Sequence, residues 1–96
     1  MPYFIVDYPG ERTEKFPIEQ ELVMVGRSGD AHLQIDDKSV SRVHCELKQS
    51  ADGTWLITDM GSRNGTKVNG DAVEQARLYE GDEVKLGRVL LTFYEG

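Results

Sequence analysis

The 96 residues include 11 basic and 17 acidic side chains, a net charge of −6, with 39% hydrophobic and 29% charged residues. That balance suits one folded domain over residues 1–96 and excludes a disordered chain. It also argues against general nucleic-acid binding, which needs clustered Lys and Arg to neutralise phosphate, and against binding to an anionic membrane surface. No apolar run is long enough to span a bilayer, and Met1 leads directly into "YFIVDY" with no basic n-region or cleavage site. Cys45 is the sole cysteine, so no internal disulfide is possible. It reads as a small buried side chain in a reducing, cytoplasmic compartment.

In chain order the pattern is strand, turn, strand. "YFIVDY" (3–8) is aromatic and β-branched and stops at Pro9-Gly10. "RTEKFPI" (12–18), "ELVMVG" (21–26) and "HLQI" (32–35) follow, the last with Leu33 and Ile35 inward. "VHCELK" (43–48) alternates, which predicts Val43, Cys45 and Leu47 inward and His44, Glu46 and Lys48 outward. "TWLITD" (54–59), with Trp55 and Ile57 expected in the core, comes after the turn "ADG", then "TKVN" (66–69). "EVKLG" (83–87) and "VLLTFYE" (89–95) close the chain, leaving no tail expected to carry a phosphorylation site. One segment is ambiguous: "DAVEQARLYE" (71–80) has helix formers, but Gly81-Asp82 ends it early, and all-β surroundings favour short strands or irregular structure. The fold class is therefore all-β, a two-sheet sandwich of short, mostly antiparallel strands with functional loops at one end.

Chemistry concentrates in "GRSGDA" (26–31), "DKSVSR" (37–42) and "GSRNGT" (61–66). These loops hold Arg27, Lys38, Arg42 and Arg63 against Asp30 and Asp37, a local excess of +2 that leaves −8 on the rest of the chain. Meeting at one end of a sandwich, they would form a basic patch on an acidic body, which attracts anions. Arginine grips phosphate oxygens bidentately, serine adds a hydroxyl donor, and glycine lets backbone N–H groups approach an anion. Asn64 offers both a donor and an acceptor, which suits a peptide backbone.

Gly26-Arg27, Ser41-Arg42-Val43-His44, Ser62-Arg63-Asn64-Gly65-Thr66 and Asn69-Gly70, in this order and spacing, resemble the signature of the forkhead-associated (FHA) domain. "LYEGDEVKLG" is similar to that family's closing segment, so the resemblance covers essentially the whole chain. It implies a β-sandwich that binds phosphothreonine peptides at loops on one end. The implied partner is a protein phosphorylated by a Ser/Thr kinase, met by a monomer without cofactor. Carried over by position, Arg27 and Ser41 would hold the phosphate. Asn64 would bond the peptide main chain, with Ser62, Arg42 and Arg63 along the peptide. Gly26, His44 and Gly65 would be architectural. His32 departs from the family's usual acidic residue, which touches hydrogen bonding at a strand end.

Two rival readings are weaker. A catalytic set of Ser41, His44 and Asp59 requires Ser41 and His44 to share a face, which a strand period of two denies, and no nucleophile elbow surrounds the serine. Metal binding lacks any ligand spacing, with His32 and His44 the only histidines. The alternative function is a structural or interaction module of the same fold that acts without phosphate. The intact trio of Arg27, Ser41 and Asn64 argues against it.

Overall fold

The computed structural model describes residues 1–96 as eleven strands with no helix. They are β1 (Tyr3–Asp7), β2 (Thr13–Pro17), β3 (Leu22–Gly26), β4 (Leu33–Gln34), β5 (Cys45–Gln49), β6 (Trp55–Asp59), β7 (Thr66–Val68), β8 (Asp71–Val73), β9 (Gln75–Leu78), β10 (Glu83–Leu86) and β11 (Val89–Tyr94). One sheet runs β2-β1-β11-β10-β7-β8 and the other β4-β3-β5-β6-β9. All neighbours are antiparallel except β3 and β4. The sandwich expected from the sequence is therefore present.

Alternation drives the packing. In β11, Val89, Leu91 and Phe93 are fully buried while the residues between them are half-exposed. In β1 the same holds for Phe4 and Val6, and Phe4 meets Phe93 edge-on at 5.7 Å between ring centres. Across the sandwich they face Val23, Val25, Leu47 and Ile57, all without solvent exposure. Burying one such side chain stabilises by about 1.5–3 kcal/mol.

The ambiguous segment forms two short strands rather than a helix. Asn69 and Gly70 take φ values of +51° and +89° and turn a two-residue hairpin from β7 into β8. The chain then crosses at Glu74 into β9, which pairs with β6 in the other sheet. Residues 71–78 thus lace the two sheets together, and helix formers yield to ladder bonds at both ends.

The alternation predicted for residues 43–48 fails at its start. Val43 is 51% exposed, whereas His44 is fully buried. Cys45 stands opposite Val25, yet the amide of His44 also bonds Val25 O at 2.9 Å. Two residues at the start of β5 therefore oppose one of β3, a bulge that turns His44 inward beside Cys45 and leaves Val43 outside. Cys45, Leu47, Trp55 and Ile57 lie in the core as expected, and Val43 does not.

The pairings fix where the loops emerge. β3 and β6 both run antiparallel to β5, so the end of β3, the start of β5 and the end of β6 share one edge. The loops 27–32, 35–44 and 60–65 leave from that edge. β7 begins there, opposite the end of β10, so the Gly87-Arg88 turn lies at the same end.

Candidate phosphate-binding cleft

The three basic loops do meet. A cleft of about 340 Å³ is lined by Arg27, Lys38, Ser39, Val40, Ser41, Arg42 and Arg63. None of its four cations is in an ion pair; the chain's two such pairs are Arg12–Glu14 and Arg88–Asp37. Four uncompensated positive charges around one hollow, on a chain of net charge −6, form a site prepared for an anion.

Backbone contacts hold the loops together. Arg27 N donates to Ser41 O at 2.9 Å and Ser28 N to Arg42 O at 3.1 Å, which places the two segments side by side. Gly26 makes this approach possible, because a Cβ there would collide with the Arg42 carbonyl. Arg27 is half-buried, and its Nε donates to Val40 O at 3.0 Å. That bond orients the guanidinium and leaves its terminal amino groups free to reach the cleft. Ser41 Oγ accepts the amide of Arg63 at 2.9 Å, so its own proton remains available to a ligand.

His44 braces this assembly. Its Nδ1 accepts the Ser41 amide at 3.0 Å, and its Nε2 lies 2.9 Å from Gly65 O. The first bond requires a bare Nδ1, so Nε2 carries the proton and donates to Gly65. Gly65 itself sits at φ +80°. With both ring nitrogens committed to backbone, His44 makes no bond to Ser41 Oγ and is not placed to act as its base.

Asn64 donates Nδ2–H to Ser39 O at 2.7 Å, leaving its Oδ1 to accept from a passing peptide amide. Ser62, grouped with the peptide contacts by its position in the sequence, gives its hydroxyl to Asp59 Oδ1. Arg42 and Arg63 stand exposed at the rim. His32 Nδ1 accepts the amide of Met24 at 2.8 Å, the strand-end acceptor role a carboxylate would also fill.

Two supporting groups were missed in the sequence. The Asp59 carboxylate accepts the amides of Gly61 and Ser62 at 3.1 Å and the hydroxyls of Ser62 and Thr66, and so shapes the loop that carries Arg63 and Asn64. Burial works to raise its pKa, but the Ser62 and Thr66 bonds outweigh it and hold the carboxyl below its ordinary value. Asp37 accepts the Ser39 amide at 2.9 Å and hydroxyl at 2.7 Å, and pairs with Arg88 at 3.1 Å. Arg88 N in turn donates to Ser39 Oγ at 3.0 Å, and Gly87 packs so closely on Ser39 that a Cβ would collide. The Asp-x-Ser and Asp-x-x-Ser spacings were the available signal, since such carboxylates bond amides two or three residues on.

Asp37 makes an acid-stability prediction. The Ser39 hydroxyl, then the Ser39 amide and Arg88, lower its pKa to about 2 against the effect of burial. A carboxyl depressed on folding contributes stability in full above its unfolded value of ~3.9 and loses it as pH falls toward the folded value. The denaturation midpoint is therefore expected to drop between about pH 4 and 2, and less steeply in Asp37→Asn. An identical slope in the variant would remove Asp37 from this role.

The FHA domain family model matches residues 23–87, the span that contains every residue of the cleft. Glycogen accumulation regulator GarA of Mycolicibacterium smegmatis is 39% identical over 82 residues, 85% of this chain and 51% of the relative. The oxoglutarate dehydrogenase inhibitor of Corynebacterium jeikeium is 37% identical over 82 residues, 85% of this chain and 56% of that one. This chain thus spans about half the length of the curated relatives it matches. Among solved structures, the FhaA FHA domain complexed with the intracellular domain of Rv3910 superposes with a TM-score of 0.84 at 29% identity, covering 97% of this chain and 99% of that one.

Proposed function

The chain belongs to the forkhead-associated family, and from that premise we propose that its cleft binds a phosphothreonine segment of a partner protein, prepared by a Ser/Thr kinase. One observation carries this reading: four cations without counter-ions line one cleft together with Ser41. In the proposal Arg27 and Ser41 hold the phosphate. Asn64 Oδ1 accepts a main-chain amide beside it, and Arg42 and Arg63 border the peptide. Such a site works by geometry and charge and breaks no bond. The relatives are named as a regulator and an inhibitor, and we read this chain in the same way, as a binding module rather than a catalyst. Its setting in this reading is intracellular, where kinases act, and it works there as a monomer. A body of −6 offers nothing to nucleic acid or an anionic membrane.

The test is a phosphothreonine peptide library beside its unphosphorylated twin. Binding confined to the phosphorylated members is expected, and equal binding of both would favour a module that acts without phosphate. Asn64→Ala separates the two parts of the site. Main-chain bonds carry no side-chain information, so every phosphopeptide is expected to weaken by a similar factor, about 5- to 10-fold for one hydrogen bond. Re-ranking of peptides by sequence would mean that Asn64 reads side chains.

A further inference from the structure

Three consecutive residues each direct one of the groups assigned to the ligand. The Ser39 carbonyl accepts Asn64 Nδ2–H at 2.7 Å, the Val40 carbonyl accepts Arg27 Nε–H at 3.0 Å, and Ser41 supplies its own hydroxyl. The position of residues 39–41 therefore decides where all three groups point. His44 and the amides of Arg27 and Ser28 hold the Ser41 end. The Ser39 end is held from the other sheet, by the turn between β10 and β11.

That turn meets Ser39 through backbone and side chain alike. Arg88 N donates to Ser39 Oγ at 3.0 Å, and Gly87 lies so close that a Cβ would collide with Ser39. The Arg88 side chain reaches past them to Asp37, with Nε 3.2 and 3.1 Å from the two carboxylate oxygens. Asp37 in turn accepts the amide and hydroxyl of Ser39, and its carbonyl accepts the amide of Val40 at 3.0 Å. The Asp37 side chain is 8% exposed, so removing the guanidinium strands a nearly buried charge, which turns toward water and draws Ser39 with it. Arg88 itself does not line the cleft.

We infer that Arg88 is a positioning residue for the phosphopeptide site, acting through Asp37 and Ser39 to aim the Asn64 amide at the peptide main chain. The inference rests on the function proposed above. A binding group has to be held within about 0.5 Å by the bonds behind it, and a 2.7 Å hydrogen bond is lost once its acceptor retreats by about 1 Å. The chain from Arg88 to Asn64 is a run of such bonds, and it crosses from one sheet to the other.

The experiment is a double-variant cycle on one phosphothreonine peptide, with Arg88→Ala, Asn64→Ala and the two combined, at a temperature where denaturation shows each fully folded. Arg88→Ala is expected to weaken binding roughly 3- to 10-fold, and Asn64→Ala to add less than about 2-fold to that loss. A residue that only supports the fold would weaken both backgrounds alike. In the ligand-free chain, proton exchange at the Asn64 side-chain amide is expected to quicken in Arg88→Ala. Asp37→Asn breaks the same ion pair from the other side, carries the same expectations, and decides the matter if Arg88→Ala does not fold. Losses that multiply, wild-type affinity, or unchanged exchange would each overturn the inference and leave the proposed function standing. Equal binding of phosphorylated and unphosphorylated peptide by the wild-type chain would remove both.

Discussion

Arg27→Ala is expected to cost roughly 2–5 kcal/mol of phosphopeptide affinity, about 30-fold to several thousandfold, with the fold intact. The range follows from where the guanidinium sits. It is half-buried, oriented through Nε by Val40 O, and faces a cleft with no carboxylate partner. A phosphate there exchanges water for charge-assisted bonds, and truncation leaves it desolvated opposite nothing. The fold loses only the single bond to Val40, about 0.5–1.5 kcal/mol. Ser41→Ala is expected to cost less, about 1–2 kcal/mol, for one hydrogen bond to a charged group. Calorimetric titration of one phosphopeptide, with denaturation of each variant beside it, measures both quantities. Wild-type affinity in Arg27→Ala would end its assignment as the phosphate ligand.

Much of this was legible in the sequence because the informative residues have few alternatives. Gly26 precedes Arg27 since no Cβ fits against Arg42 O, and Asn69-Gly70 marks a turn that needs positive φ at both positions. Alternation located β1, β5, β6 and β11 to within a residue or two, because each has one face in the core. Arg27, Ser41, Arg42 and Arg63 could be gathered in advance by charge and order, and they line one cleft.

What stayed hidden depends on partners distant in sequence. A bulge is a register event between two strands, so nothing within "VHCELK" announces that His44 turns inward and Val43 outward. Arg88 reaches Asp37 across 51 positions, and its loop is seated on Ser39 only because β7 and β10 pair. Asp59 was weighed as part of a catalytic set, whereas its oxygens are occupied by Gly61, Ser62 and Thr66.

The second large effect concerns the shape of the anion. Phosphothreonine carries about −1.5 to −2 charges near neutral pH, has a second pKa of ~6 and offers three acceptor oxygens. Glutamate carries one charge on two coplanar oxygens. A cleft whose donors surround a tetrahedral group leaves some of them unpaired against a carboxylate, at about 1–3 kcal/mol for each buried donor. Two such losses, about 2–6 kcal/mol together, make the glutamate peptide at least ~30-fold weaker.

The pH dependence differs as well. The free phosphopeptide gains a proton as pH falls through ~6, while the cleft prefers the dianion, so affinity declines by roughly fourfold between pH 7.5 and 5.5. A glutamate side chain, with its ordinary pKa of ~4.3, stays charged across most of that range. These two responses distinguish a phosphate pocket at this end of the fold from a diffuse basic patch. Titration of one phosphothreonine peptide from pH 7.5 to 5.5, beside its glutamate analogue, tests both directly. The pocket predicts strong, pH-dependent binding of the first and negligible binding of the second; equal affinities with no pH dependence would contradict it.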